Sequence, residues 1–270
     1  MEINNLGFIG AGKMGKALIN SIINNKIVSP ANINVTVKNT DRLKVLHNEL
    51  GLQGYSSISS LARNSNIIFL AVKPQDMSQV LDELKSEIKR DTHLIVSVAA
   101  GISINFIEGY LGKDVPIVRL MPNTPCLIGE GVIAVAPSQK VSSNNLQKVL
   151  DIISAMGLVI TVEEKHMDAV TGLSGSGPGY VYKIIESLAD GGVAAGLPKS
   201  LALNIATQTL YGTAKMVQET KEHPTVLKDM VLSPGGTTIT GLLELDKEGV
   251  PYGLSQAVIA AAKRAKDLGK

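Results

Sequence analysis

Gly10, Gly12 and Gly15 stand directly after the apolar run 5–9 and open a helical pattern. A strand, a G-x-G-x-x-G turn and a helix, in that order, form a supersecondary unit with few alternatives. Gly10 permits the tight turn, Gly12 lets a ligand approach the backbone, and Gly15 lets helix and strand pack closely. The N–H groups at such a helix start attract phosphate. The opening thus points to an α/β domain holding a dinucleotide pyrophosphate, with Gly10, Gly12, Lys13, Met14 and Gly15 as its expected contacts.

The rest of the first half agrees. Apolar runs recur at 33–38, 67–72, 93–98, 117–121 and 131–136. Several are continuous and rich in Ile and Val, as parallel strands buried on both faces are. Helical patterns at 14–25, 41–50, 75–88 and 103–111 alternate with them, which argues for a doubly wound sheet. A further helix fits 144–156, with Leu146, Val149, Leu150, Ile153 and Met156 on one face, and a strand at 158–162 closes the sheet. After about Glu163 strand-like runs disappear. Helical patterns cover 180–195, 197–219, 225–231, 237–247 and 252–268, rich in Ala, Leu and Gly. The expected fold is therefore an N-terminal Rossmann-like doubly wound sheet, residues 1–162, and a C-terminal all-helical domain, residues 163–270. Some of these helices are too apolar for solvent, which favours a dimer interface over a compact monomeric bundle.

Composition narrows the function classes. The net charge is +2, and no Lys/Arg run of the kind that binds nucleic acid or anionic lipid appears. Trp is absent and aromatic content is 3%, so base-stacking platforms are not expected. The single cysteine, Cys126, cannot form an internal disulfide, which suits a reducing compartment. The opening "MEINNLGFIG" lacks signal-peptide features, and no run reaches the roughly 18 apolar residues of a membrane span. A soluble cytoplasmic protein is expected. His47, His93, His166 and His223 lack metal-ligand spacing, so no metal site is expected and the histidines read as surface or capping residues. Cys126 has no suitably spaced His and reads as a small buried thiol near the cofactor rather than a nucleophile.

The second strand ends "VTVKNTDR". NAD sites place an Asp or Glu here to bind the ribose hydroxyls. This chain has Lys38, Asn39 and Thr40, with Arg42 close by. Lys38 and Arg42 suit a 2′-phosphate, so NADPH is the expected cofactor and NADH the alternative. Asp41 is expected to cap the next helix. Three further strand ends share a form. "FLAVKPQ" offers Ala71, Val72 and Lys73 before Pro74, "SVAAGIS" offers Val98, Ala99 and Ala100, and "RLMPNTP" places Met121 and Asn123 in a rigid turn. With the glycine loop they make four strand C-termini, where a doubly wound sheet forms its ligand crevice.

Two glycine-rich helix starts remain. "VLSPGGTTITGLLEL" runs from Val231 to Leu245. Thr237 or Thr238 can cap the helix that follows, or the helix start can serve as an anion site. "TGLSGSGPGY" has Ser174 and Ser176 as capping candidates and Pro178 in the first turn.

Together, "GFIGAGKMG", "AVKPQ", "MPNTP", "GLSGSGPGY" followed by "IESLADGGVAAGLP", and "SPGGTTITGL" resemble the pyrroline-5-carboxylate reductase family over nearly the whole chain. Two positions depart from the usual pattern: Gly179 where Ala is common, and Leu232 where Thr or Ser is common. The resemblance implies a helical domain that interlocks two subunits, often in rings of dimers. It implies reduction of Δ1-pyrroline-5-carboxylate, a cyclic imine carboxylate, to L-proline, the last step of proline synthesis. Gly236, Thr237 and Thr238 then suit the substrate carboxylate, and the Thr238 hydroxyl suits the ring nitrogen as the catalytic contact. Ser176 falls beside the substrate, and Glu164 matches a family position near substrate and cofactor. No side chain stands out as an obligatory acid, because a C=N nitrogen can arrive protonated. Two rivals remain. A β-hydroxyacid dehydrogenase-like reductase would use Lys183, which fits a G-x-G-x-x-x-K start. A non-catalytic NADPH sensor would bind cofactor without turnover.

Overall fold

The structure, a computed structural model, describes residues 5–39 and 41–268. Strands β1 (Leu6–Ile9), β2 (Ile33–Thr36), β3 (Gln53–Gly54), β4 (Ile67–Leu70), β5 (Leu94–Ser97), β6 (Ile117–Pro122), β7 (Gly131–Pro137) and β8 (Gly157–Thr161) form one sheet in the order β3-β2-β1-β4-β5-β6-β7-β8. Helices α1 (Lys13–Asn24), α2 (Asp41–Leu50), α3 (Ile58–Arg63), α4 (Met77–Leu84), α5 (Ile104–Leu111) and α6 (Ser143–Ile153) connect the strands. The two-residue β3 and the short α3 carry too little periodicity to be read from sequence.

Every residue of β1, β2, β4 and β5 is buried, as in strands covered on both faces, and in β2 and β5 this includes the polar Asn34, Thr36 and Ser97. Side chains alternate between two cores. Phe8, Val35, Phe69 and Val96 pack on one face with Leu18 and Ile22 of α1 and Ile152 of α6. Ile9, Ile68, Leu70 and Ile95 pack on the other with Leu61, Leu81, Leu84 and Ile107. Phe8 and Phe69 are register partners on β1 and β4, and their rings stack at 4.6 Å.

All neighbouring strands run parallel except β6 and β7, which pair antiparallel. The sheet is thus doubly wound and mainly parallel, as expected, with one antiparallel pair that the sequence does not reveal. A parallel return needs a crossover of about a dozen residues or more. The link 123–130 is shorter, and it closes through a 3-10 turn, Thr124–Ile128. Gly129 ends that turn in the left-handed region at φ +79°.

After β8 come the short α7 (Met167–Val170) and a π-helical turn, Thr171–Gly175, then α8 (Gly177–Ala194), α9 (Lys199–Thr220), α10 (Pro224–Asp229), α11 (Thr237–Lys247) and α12 (Val250–Leu268). By internal contacts the chain divides into two compact units. One runs to Gly175 and regains the chain from Ala260 onward, and the other is Ser176–Ile259. In the first unit, the last turns of α12 reach the loop after β5: Ala265 is buried, and a Cβ on Gly101 would lie 3.2 Å from Leu268. Among the described residues, no helix is long and apolar enough to cross a membrane.

Candidate active site

The glycine loop is tight on one side and open on the other. Gly10 has φ +93° and donates its N–H to Thr36 O at 2.8 Å. A Cβ there would lie 2.6 Å from the Ala71 carbonyl oxygen, so the position excludes any side chain. A Cβ on Gly15 would press on Gly10 O and Ala71, which is where α1 packs on the sheet. A Cβ on Gly12 would meet nothing within 4 Å. Gly12 is the N-cap of α1, and no side chain caps that helix. The first-turn N–H groups therefore face an open space suited to an anion.

That space is a cavity of about 670 Å³. Its lining includes Gly10, Gly12, Lys38, Arg42, Ala71, Val72 and Lys73, all expected from sequence. The volume lies in the range of small-molecule sites. Ser56, Ser57, Asp76, Gln79 and Glu83 also line it and are not foreseen from sequence. Ser56 and Ser57 come from the loop after β3, Asp76 from the 3-10 turn before α4, and Gln79 and Glu83 from α4 itself, a helix expected from sequence whose approach to the cavity is not. Lys38 Nζ pairs with Asp76 Oδ1 at 2.6 Å, and Arg42 Nη2 donates to Ala11 O at 2.7 Å. Asn39 does not line the cavity, and its Oδ1 accepts the Asp41 N–H at 3.0 Å. Asp41 is thus the first residue of α2 rather than its cap, which corrects that expectation. Thr40 lies outside the described residues.

Lys13, Met14 and Gly15 form the first turn of α1 behind the loop, and Pro74 opens a 3-10 turn, Pro74–Asp76. Val98, Ala99 and Ala100 follow β5, and Met121 ends near the edge of β6; none of these lines the cavity. Asn123 has a full set of protein partners. Its Oδ1 accepts from Val132 N at 2.9 Å, and its Nδ2 donates to Ser174 O at 3.3 Å. It thereby pins the π-helical turn to the end of β6, and π-turns of this kind cluster at functional sites.

A buried ion pair lies on the same strand. Arg119, 3% exposed, donates from Nη1 to Glu164 Oε1 at 2.8 Å, and the same oxygen accepts the Ile104 N–H at 3.1 Å. Asp168 lies 4.0 Å from Nη2. Glu164 therefore ties β6, the start of α5 and the segment before α7 together. Sequence reasoning misses Arg119. Its signal is a lone charge inside "IVRLM", since a charge in a buried strand needs a partner.

In the second unit, Gly235 takes φ +64° and Gly236 donates its N–H to Ser233 O at 3.0 Å. Gly236 is the N-cap of α11, with Thr237 and Thr238 in the first turn, and no side chain caps the helix. This corrects the expectation that a threonine caps it, because both stand past the cap position. Thr240 instead bonds back to Gly236 O at 3.0 Å. Ser176 occupies the N-cap of α8, also without a side-chain cap bond. Ser174 lies in the π-turn. Lys183 pairs with Glu186 at 2.7 Å; that hydrogen bond raises the lysine pKa and lowers the glutamate's.

His93 is buried rather than at the surface, which corrects the expectation of a surface or capping histidine there. His223 does cap a helix, accepting the Thr225 N–H at α10. Cys126 is buried as expected, and burial raises its thiol pKa. Among the described residues, no group of three or more acidic, His or Cys side chains gathers as a metal site.

Residues 164–268 match the family model for pyrroline-5-carboxylate reductase dimerisation, and residues 5–101 match that for NADP oxidoreductase coenzyme F420-dependent. The pyrroline-5-carboxylate reductase of Methanosarcina acetivorans is 44% identical over 100% of both chains. That of Arabidopsis thaliana is 41% identical over 98% of this chain and 95% of its own. Two solved structures cover 100% of this chain and of their own. The Plasmodium falciparum pyrroline carboxylate reductase with NADP bound has a TM-score of 0.90 at 37% identity. The pyrroline-5-carboxylate reductase from Coxiella burnetii has 0.91 at 34%.

A glycine-loop cavity on a mostly parallel sheet, followed by helices of a dimerisation domain, defines a dinucleotide-dependent oxidoreductase. Within that class, the chain belongs to the pyrroline-5-carboxylate reductase family.

Proposed function

We propose that this protein reduces Δ1-pyrroline-5-carboxylate to L-proline with NADPH, and with NADH as a second cofactor, as the last step of proline biosynthesis. The observation that carries the reading is full-length kinship with reductases of that name, at 44% identity with no part of either chain left over. The site supplies parts for each task.

Gly12 and the uncapped start of α1 hold the pyrophosphate, and Lys38 and Arg42 hold the 2′-phosphate. Ala71, Val72 and Lys73 wall the cavity, while Asn123 shapes the nearby turn. When bound, the nicotinamide supplies a hydride. The substrate carboxylate sits at Gly236, Thr237 and Thr238 and takes the free N–H groups of Thr237 and Thr238, a reading supported by the absence of any side-chain cap on α11; the Gly236 N–H is already given to Ser233 O. The iminium N–H donates to the Thr238 hydroxyl, which orients the C=N carbon for hydride. The nitrogen keeps the proton it brought, so the protein needs no acid. Ser176 borders the substrate. Glu164 supports the site through Arg119 and the Ile104 amide. The work of these groups is positioning and electrostatics.

Residues 163–270 are assigned as the dimerisation and substrate-binding domain, and residues 1–162 as the dinucleotide domain. The working form is a homodimer able to assemble into a ring of dimers, in the cytoplasm. A proline-requiring bacterium that lacks its own reductase tests the reading. Expression of this chain restores growth without proline. Absence of growth despite ample folded protein contradicts it.

A further inference from the structure

The acid that NAD sites place at the end of the second strand is missing here, yet a carboxylate reaches the same cavity from elsewhere. Asp76 ends the 3-10 turn after β4, and its Oδ1 lies 2.6 Å from Lys38 Nζ. Both residues line the glycine-loop cavity. The Asp76 side chain is 26% exposed and the Lys38 side chain 70%, so the carboxylate is the more fixed partner. The other charged groups on the lining are Arg42, Lys73 and Glu83. Arg42 already spends one guanidinium nitrogen on the Ala11 carbonyl. Lys38 is thus a principal cation for a 2′-phosphate, and it is the one that Asp76 engages.

We propose that Asp76 sets the cofactor preference of this enzyme. The inference rests on the dinucleotide reading of the cavity. Asp76 competes with a 2′-phosphate for Lys38 and repels that phosphate directly. With a cofactor that carries a free 2′-hydroxyl the competition vanishes, and the carboxylate can accept the hydroxyl hydrogen, the task a second-strand acid performs in NAD sites. Asp76 therefore pulls a chain with basic residues at this end back toward acceptance of both cofactors. Lys38 is largely exposed, so the effect is modest and screened by salt.

The test is direct binding of NADP+ and NAD+ to the full-length protein by titration calorimetry, at low and high salt. The variants are Asp76→Asn, Lys38→Met and the double variant. Asp76→Asn is expected to tighten NADP+ by about threefold to tenfold and to leave NAD+ equal or weaker. The NADP+ gain shrinks when Lys38 is absent and when salt is raised. An unchanged ratio of the two dissociation constants in Asp76→Asn, with wild type binding both, overturns the proposal and leaves the dinucleotide reading standing. Wild-type protein that binds neither dinucleotide overturns both.

Discussion

Thr238 carries a chemical role only if it has no structural one. It stands in the first turn of α11, past the cap position held by Gly236, and supplies no cap bond. Thr238→Ala is therefore expected to lower kcat/KM by about tenfold or more while the melting temperature stays within a few degrees. A large loss of stability with normal kinetics would return the residue to a structural role. Gly10 is the opposite case. Its backbone is left-handed, and any Cβ would sit 2.6 Å from the Ala71 carbonyl oxygen, which leaves no room. Gly10→Ala should cost on the order of 1–3 kcal/mol and weaken dinucleotide binding, read by chemical denaturation and calorimetry. His93 gives a pH signature. Its ring is buried and Nδ1 accepts the Lys89 N–H, which favour the neutral ring, while the Ala62 carbonyl facing Nε2 works in the opposite direction. Burial first, then the nearby Lys89 charge, hold its pKa below the ordinary 6.5. The unfolded chain then takes up a proton that the native ring resists. Its contribution is full above about pH 6.5 and is lost as pH falls toward the lowered native value. His93→Gln should flatten the fall in melting temperature just below pH 6.5; an unchanged slope would mean other groups cause it.

Elements show which features of this chain are legible in its sequence. The strands at 5–9, 33–38, 67–72 and 93–98 are readable because burial on both faces leaves short runs rich in Ile, Val, Leu and Phe, broken only by a few polar residues in 33–38 and 93–98. The glycine loop is readable because sterics admit only glycine at Gly10. The antiparallel β7 is hidden, since nothing in "GVIAVAP" distinguishes its direction; the short link before it does. The Ser56, Ser57 and Asp76 wall is hidden because those residues sit on loops that meet only once the sheet has formed. The π-turn Thr171–Gly175 reads as a helix start in sequence, although Asn123 holds it from another element. Arg119 joins elements in the same way. Arg119→Met removes the partner of Glu164 and should destabilise by on the order of 2–3 kcal/mol, below the fully buried case because the Glu164 side chain is 32% exposed. Denaturant unfolding measures this, and Glu164→Gln in the same background should recover part of the loss.

At the scale of the whole molecule, the helical unit lacks a core of its own. Its buried cluster is three alanines, Ala189, Ala202 and Ala206. On α9, Leu201, Leu203, Ile205, Tyr211 and Met216 remain exposed in the single chain. A face of that kind calls for cover, and the homodimer proposed above, in keeping with the match to a dimerisation family, would supply it. The double change Leu201→Asp with Ile205→Asp should yield monomer by sedimentation velocity, with lower stability and little turnover. A fully active monomer would argue against substrate binding that depends on the dimer.

The central claim is the reaction itself. The first measurement is loss of cofactor absorbance by purified protein with Δ1-pyrroline-5-carboxylate, run with NADPH and with NADH, with proline quantified at the end. Imine-dependent oxidation is expected, with one proline formed for each cofactor consumed. Tight dinucleotide binding with no turnover on either cofactor would contradict it.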